Sequence, residues 1–108
     1  MLNVKFGEIE YDLDISWKSS SEFNQKVGDP ILMSIEAAKG ENPFTTDKVI
    51  DSLYIGIKNA GNNITRPEVA ELCQKYGLIS YYEAAAGYLI ALVTGESDYG
   101  SEESEGKK

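Results

Sequence analysis

The sequence predicts an α+β fold, in which an N-terminal β-hairpin precedes about four to five short α-helices. Three observations predict this class. Apolar and polar residues alternate over residues 2–15, helical spacing replaces the alternation from residue 17 onward, and glycines recur where the helices are expected to end. A chain of 108 residues that is 42% apolar can form one modest core, so residues 1–95 are predicted to be a single domain.

The hairpin is predicted from two alternating runs separated by Gly7-Glu8. Glycine at the first central position of a two-residue turn suits the twist of an antiparallel pair. This turn pairs Phe6 with Ile9 and Lys5 with Glu10, so apolar residues meet and opposite charges meet. The same register predicts four carboxylates together on the other face of the second strand. They are Glu8, Glu10, Asp12 and Asp14.

Two short helices are predicted next. The first runs from Trp17 to Val27 and ends at Gly28, which suits a helix terminus. Asp29-Pro30 reads as a cap and first helical position, and the second helix stops before Gly40. Their predicted apolar faces carry Trp17, Ser20, Phe23 and Val27 in the first helix, and Ile31, Leu32, Ile35 and Ala38 in the second.

The third and fourth helices have clearer start and stop signals. Thr45 or Thr46 can cap the third helix, which ends at Gly61. Thr65 and Glu68 form the capping-box pattern for the fourth, although Pro67 prefers the first helical position and could move the start by one residue. The apolar positions of the two helices are Val49, Ile50, Leu53, Tyr54 and Ile57, then Val69, Leu72, Cys73 and Tyr76.

The last helix is predicted from about Ile79 to Thr94 and is apolar nearly all round, so it needs partners. One stripe holds Ile79, Tyr82, Ala86, Leu89, Ile90 and Val93. A tyrosine cluster beside it resembles the composition of interface cores, with ordinary packing as the alternative. The residues predicted to bind a partner are Tyr81, Tyr82, Tyr88 and Leu92. Residues 96–108 are rich in Ser, Gly and Glu, which predicts a disordered acidic tail.

The chemistry that the sequence lacks argues against an enzyme. The chain has no histidine, which excludes Ser-His and Cys-His nucleophiles and the commonest metal ligand. It has no glycine-rich phosphate loop, so no cofactor is expected. Cys73 lies on the predicted inward stripe of the fourth helix and is interpreted as a buried structural thiol.

Charge and cysteine usage limit the partners and the compartment. A net charge of −8 repels phosphate backbones and anionic lipids, so neither nucleic acid nor membrane is an expected partner. The longest uncharged run, residues 84–95, is shorter than the ~20 residues needed to span a bilayer. A single cysteine and no signal-peptide pattern predict a cytoplasmic location. The four hairpin carboxylates are interpreted as a solvated face, with a cation or a basic partner as alternatives.

An ordered series of short patterns carries a family resemblance over about residues 3–95. After the hairpin and small helices come Lys58-Asn59-Ala60-Gly61, then residues 64–69 with the sequence ITRPEV, then Tyr76-Gly77-Leu78 and an alanine-rich apolar helix. This order resembles the tail assembly chaperones of tailed bacteriophages and prophages, in particular the branch shared with gene transfer agents. The first helix, with its sequence WKSSS, is more polar than in that family.

The resemblance implies a protein that keeps the tape measure protein or the tail tube subunits soluble in the bacterial host cell until the tube polymerises. It carries over no catalytic residue. Two alternatives remain open: a structural tail component retained in the virion, and a small acidic regulator that binds a basic protein through the hairpin carboxylates. The apolar last helix could also be covered by self-association into a homodimer.

Overall fold

The structure is a computed structural model that describes residues 2–95, and it has the predicted α+β architecture. A two-stranded antiparallel hairpin leads into five helices. The elements are β1 Asn3–Phe6, β2 Ile9–Asp12, α1 Trp17–Lys26, α2 Pro30–Ala38, α3 Thr46–Asn59, α4 Arg66–Tyr76 and α5 Leu78–Thr94. The acidic segment 96–108, for which disorder is predicted, lies outside the described residues.

The hairpin has the predicted register. Phe6 pairs with Ile9 and Lys5 with Glu10, and Gly7 in the turn takes a φ of 64°, which glycine adopts without strain. One face buries Val4 and Phe6 against the helices. The register therefore fixes which side of the hairpin meets the core.

The predicted acidic face is wrong at its end, because β2 ends at Asp12 and the Asp14 carboxylate bonds to residues at the start of α1. The Asp14 carboxylate accepts hydrogen bonds from the Ser16 backbone N–H (3.1 Å) and from the Ser19 hydroxyl (2.6 Å). Asp14 thus helps to start α1. Glu8, Glu10 and Asp12 are exposed.

Helix α3 is the centre of the fold and is buried on most of its circumference. Helices α1, α4 and α5 and strand β2 all pack against it. Its buried residues are Val49, Ile50, Ser52, Leu53, Ile55, Gly56 and Ile57. Gly56 allows a close approach, because the Asp14 backbone N–H donates to its carbonyl oxygen at 3.0 Å.

The start of α4 confirms the predicted capping box. The Thr65 hydroxyl accepts from the Glu68 backbone N–H at 3.3 Å, and the Glu68 carboxylate accepts from the Thr65 backbone N–H at 2.8 Å. Helix α4 begins at Arg66, so Pro67 occupies the second helical position. The Arg66 guanidinium donates to Asp51 and to Asp47 on α3, and these hydrogen bonds raise the pKa of Arg66.

The predicted apolar faces of α1 and α2 are only partly correct. In α1, Trp17 is 82% exposed, while Phe23 and Val27 enter the core. In α2, Ile31, Leu32 and Ile35 are all exposed, and the buried residue is Met33. The predicted apolar face of α2 therefore does not pack in the core, since α2 lies at the edge of the domain and presents this apolar surface to solvent.

Candidate protein-binding groove

Two of the predicted partner-binding tyrosines lie inside the domain. Tyr81 and Tyr88 are 6% and 0% exposed. The Tyr81 hydroxyl donates to the Lys5 carbonyl at 2.9 Å, and the Tyr88 hydroxyl donates to the Asp14 carbonyl at 2.6 Å. The Tyr81 ring also stacks on Phe6, with 4.8 Å between the ring centroids. In this fold both tyrosines join α5 to the N-terminal segment and leave no surface for a partner.

Burial also fixes the protonation state of these hydroxyls. Desolvation raises the pKa of Tyr81 and, more strongly, that of Tyr88. Both therefore remain hydrogen-bond donors near neutral pH. Each tyrosine hydroxyl donates a hydrogen bond to a backbone carbonyl at the edge of the core. Without this donor the carbonyl would lose a hydrogen-bond partner, which is costly for a buried polar group.

The other two predicted residues are partly accessible. Tyr82 and Leu92 are half-buried and pack against the core with part of their side chains. Tyr82 lines a groove, whereas Leu92 does not. The four residues thus do not form one surface, and Tyr82 alone belongs to the groove.

The groove lies between α2, the loop 40–44 and α5, and has a volume of about 610 Å³. Leu89 and Phe44, both almost fully buried, contribute to its lining. Small side chains supply much of the rest, which lets another chain approach closely. The complete lining is Ser34, Ala37, Ala38, Gly40, Glu41, Asn42, Pro43, Phe44, Tyr82, Glu83, Ala86, Leu89 and Ile90.

The exposed apolar residues of α2 extend the groove. Ile31 and Ile35 are 63% and 46% exposed and lie three residues before Ser34 and Ala38, which line the groove. Residues three apart are neighbours on a helix surface, so the two isoleucines form its rim. Leu32, 60% exposed, adjoins Ile35 in the same way. We call Ile31, Leu32 and Ile35 the α2 rim.

The dimensions suit a short helical segment. Tyr82 and Ile90 are eight residues apart on α5, which corresponds to roughly 12 Å at 1.5 Å per residue. That length matches about two turns of a bound helix, which presents apolar residues at i, i+3, i+4 and i+7 to such grooves. An apolar groove with an exposed apolar rim is the arrangement expected of a protein-binding site.

The α2 rim was missed from the sequence because its apolar spacing predicts burial in the core. One signal was available. Ile31, Leu32, Met33 and Ile35 are too many large apolar residues for one narrow inward stripe on a nine-residue helix. An excess of this kind indicates either an all-round buried helix or an uncovered surface.

A cluster of polar side chains between α1 and the C-terminal end of α3 has a structural role. The Asn59 side chain donates to Ser19 (3.0 Å) and to Glu22 (2.6 Å), and Lys58 pairs with Glu22 at 3.0 Å. Hydrogen bonds from Asn59 and Lys58 lower the pKa of Glu22. Burial acts to raise the pKa of Asp14, but hydrogen bonds donated by Ser16 and Ser19 outweigh it and lower that pKa. The cluster fastens α1 to α3 through charge-assisted hydrogen bonds.

The remaining reactive group is Cys73, which is fully buried, as predicted. Desolvation raises its pKa to about 11, so it carries almost no thiolate at neutral pH. Within residues 2–95, no group of three or more His, Cys, Asp or Glu side chains is placed to hold a metal ion. Among the helices of the same part of the chain, none has the length and apolarity needed to cross a membrane.

Comparison with known proteins leaves the family resemblance of the sequence as a prediction. No protein-family model matches the chain, and neither the curated proteins nor the solved structures contain a significant match. The features of the chain that bear on its function are therefore the groove, the charges around it and the sequence patterns themselves.

Proposed function

We propose that this chain is a non-enzymatic tail morphogenesis protein of a bacteriophage, prophage or gene transfer agent, and that it acts as a tail assembly chaperone. Its clients are the tape measure protein, the tail tube protein or both, in the cytoplasm of the bacterial host. The observation that carries the proposal is the apolar groove with its exposed α2 rim. A monomeric domain leaves such a surface open only at an energetic cost, which binding a partner offsets.

The charge of the chain supports the same role. A complex between an apolar client segment and a domain of net charge −8 keeps a large surface charge, which opposes aggregation. Covering the client segment in the groove also removes it from contact with other client copies. Both effects delay polymerisation of tail subunits until a competing assembly partner is present.

The proposal is tested by co-expressing the tagged chain with the tape measure and tail tube proteins encoded beside its gene. We expect the wild-type chain to retain at least one of them. The double variant Ile31→Ser/Ile35→Ser should retain at least about tenfold less, because loss of even one aliphatic contact costs on the order of 1.5 kcal/mol, which is about tenfold in affinity. Both residues are exposed, so the variant should fold normally.

A matched control comes from α5. Ile79 is 82% exposed and does not line the groove, so Ile79→Ser removes an exposed isoleucine elsewhere. This variant should retain the client like wild type. Equal loss in both variants would show that general surface hydrophobicity, and not the groove, captures the client. Absence of both clients from the wild-type pull-down refutes the chaperone role, and detection of the chain in purified particles by mass spectrometry favours a structural tail component.

A second candidate function is regulation of a basic protein. The exposed carboxylates of Glu8, Glu10 and Asp12 on the hairpin favour it, because they lie close together on one small element. Replacing these three by Ser or Thr separates the two candidates. A regulator of this kind loses its partner, whereas a chaperone that uses the groove keeps its client.

A further inference from the structure

The charged residues at the groove have a single sign in the part of the chain that the structure describes. Of the residues that line the groove, the charged ones are Glu41, in the loop after α2, and Glu83, on α5. Both are exposed, and neither takes part in an ion pair within residues 2–95. Lys39 is close in sequence to Glu41, but it does not line the groove.

From this arrangement we infer the chemistry of the occupant: an amphipathic helix of another protein with an apolar stripe about two turns long and lysine or arginine residues along its edges. The inference rests on the proposed function and specifies the client segment. The apolar stripe fits against Tyr82, Ala86 and Ile90, and the basic edges meet Glu41 and Glu83. Charge complementarity at Glu41 and Glu83 contributes more to the choice of partner and to its register in the groove than to affinity.

A second copy of the chain fits the groove poorly. Two copies each carry a net charge of −8, so their association brings like charges together. The segment after Gly95 is an equally poor occupant, because residues 96–108 contain five acids and offer Tyr99 as their one large apolar side chain. Neither has the basic, apolar-striped composition that the groove favours.

The test uses three synthetic helical peptides and the full-length chain. Each peptide has 18 residues with leucines at i, i+3, i+4 and i+7, and the flanking positions are Lys, Gln or Glu. Affinity is measured by fluorescence anisotropy at low and high salt. We expect the Lys peptide to bind roughly fivefold more tightly than the Gln peptide at low salt, since two exposed ion pairs contribute about that much, and we expect the Glu peptide to bind most weakly.

Two charge variants locate the effect. Glu41→Gln/Glu83→Gln should remove the preference for the Lys peptide and its salt dependence. Glu8→Gln/Glu10→Gln changes the net charge by the same amount at the hairpin, outside the groove, and should keep the preference. The same peptide set also separates the groove from the hairpin as the site of a basic partner.

The outcomes distinguish this inference from the proposed function. If a co-expressed tail client is retained through the α2 rim while Lys and Gln peptides bind equally, the chaperone role stands and the inference about basic edges is overturned. If no tail client is retained but the Lys peptide binds and responds to Glu41 and Glu83, the inference stands without the chaperone role. Binding of none of the peptides overturns it, as does a homodimer that Ile31→Ser/Ile35→Ser dissociates in sedimentation equilibrium.

Discussion

Gly56 lies where the N-terminal segment crosses the central helix, and replacing it with alanine should destabilise the fold. The Asp14 backbone N–H donates to the Gly56 carbonyl at this crossing (3.0 Å). A Cβ atom on residue 56 would lie 2.8 Å from Leu13 Cδ2 and 3.0 Å from Tyr88 Cζ. Favourable carbon contacts are about 3.5–4.0 Å, so both neighbours would have to move.

The magnitude follows from how little these neighbours can move. Leu13 and Tyr88 are buried, and the Tyr88 hydroxyl is held by the Asp14 carbonyl at 2.6 Å. Overpacking a core by one methyl costs about 1–3 kcal/mol, and weakening that hydrogen bond costs about 1 kcal/mol more. Alanine regains at most about 1 kcal/mol of helix propensity over glycine. Gly56→Ala should therefore lower the free energy of unfolding by about 1–3 kcal/mol.

The chain offers a matched control on α5. A Cβ added at Gly87 would meet no atom within 4 Å, so Gly87→Ala gains helix propensity without a clash and should stabilise the protein by up to about 1 kcal/mol. Urea unfolding followed by circular dichroism measures both, with the slope expected to stay constant. An unfolding midpoint that rises in Gly56→Ala as it does in Gly87→Ala would refute the close packing at this crossing.

Three further predictions concern stability and reactivity. Thr65→Ala should cost about 1 kcal/mol in urea unfolding, because it removes the hydroxyl of the α4 capping box. The folded state lowers the pKa of Glu22 below its ordinary 4.5, so the ionised carboxylate stabilises the fold above about pH 4.5. This contribution is lost as the pH falls through the lowered pKa of the folded state. The urea midpoint of Glu22→Gln should therefore decline less steeply than that of wild type below about pH 4.5. Cys73 should react with a thiol reagent at pH 8 only at the rate of unfolding, because burial raises its pKa to about 11 and closes access; rapid labelling of the native protein would contradict its buried position.

The parts of the fold that the sequence predicted correctly depend on contacts close in the chain. The hairpin register follows from alternation and from Gly7 in the turn, and the paired residues are at most nine positions apart. The α4 start follows from a box that spans Thr65 to Glu68. Local hydrogen bonds of this kind compete with few alternatives, so residue type and spacing suffice to identify them.

The parts that the sequence did not predict depend on contacts between distant residues. Helix α5 is apolar nearly all round, so periodicity could not indicate which side faces the core. Its orientation follows from hydrogen bonds that join Tyr81 to Lys5 and Tyr88 to Asp14, across 76 and 74 residues. The exposed side of α2 could not be predicted from the sequence either, because its apolar residues have the spacing of a face that packs in the core.

The orientation of α5 connects the stability of the domain to its open surface. Successive residues of a helix are rotated by about 100°, so burying Tyr81 and Tyr88 against the N-terminal segment and the core turns Tyr82, Ala86 and Ile90 toward α2. Helices α3 and α4, together with the N-terminal segment, thereby cover one side of an otherwise apolar helix, and the other side forms a wall of the groove. Removing the Tyr88 hydroxyl should consequently lower the free energy of unfolding, because it removes the hydrogen bond to the Asp14 carbonyl. The Ile31 and Ile35 variants should instead weaken partner binding with little change in the free energy of unfolding. If both kinds of variant altered both properties equally, the two sides of α5 would not have the separate roles argued for them.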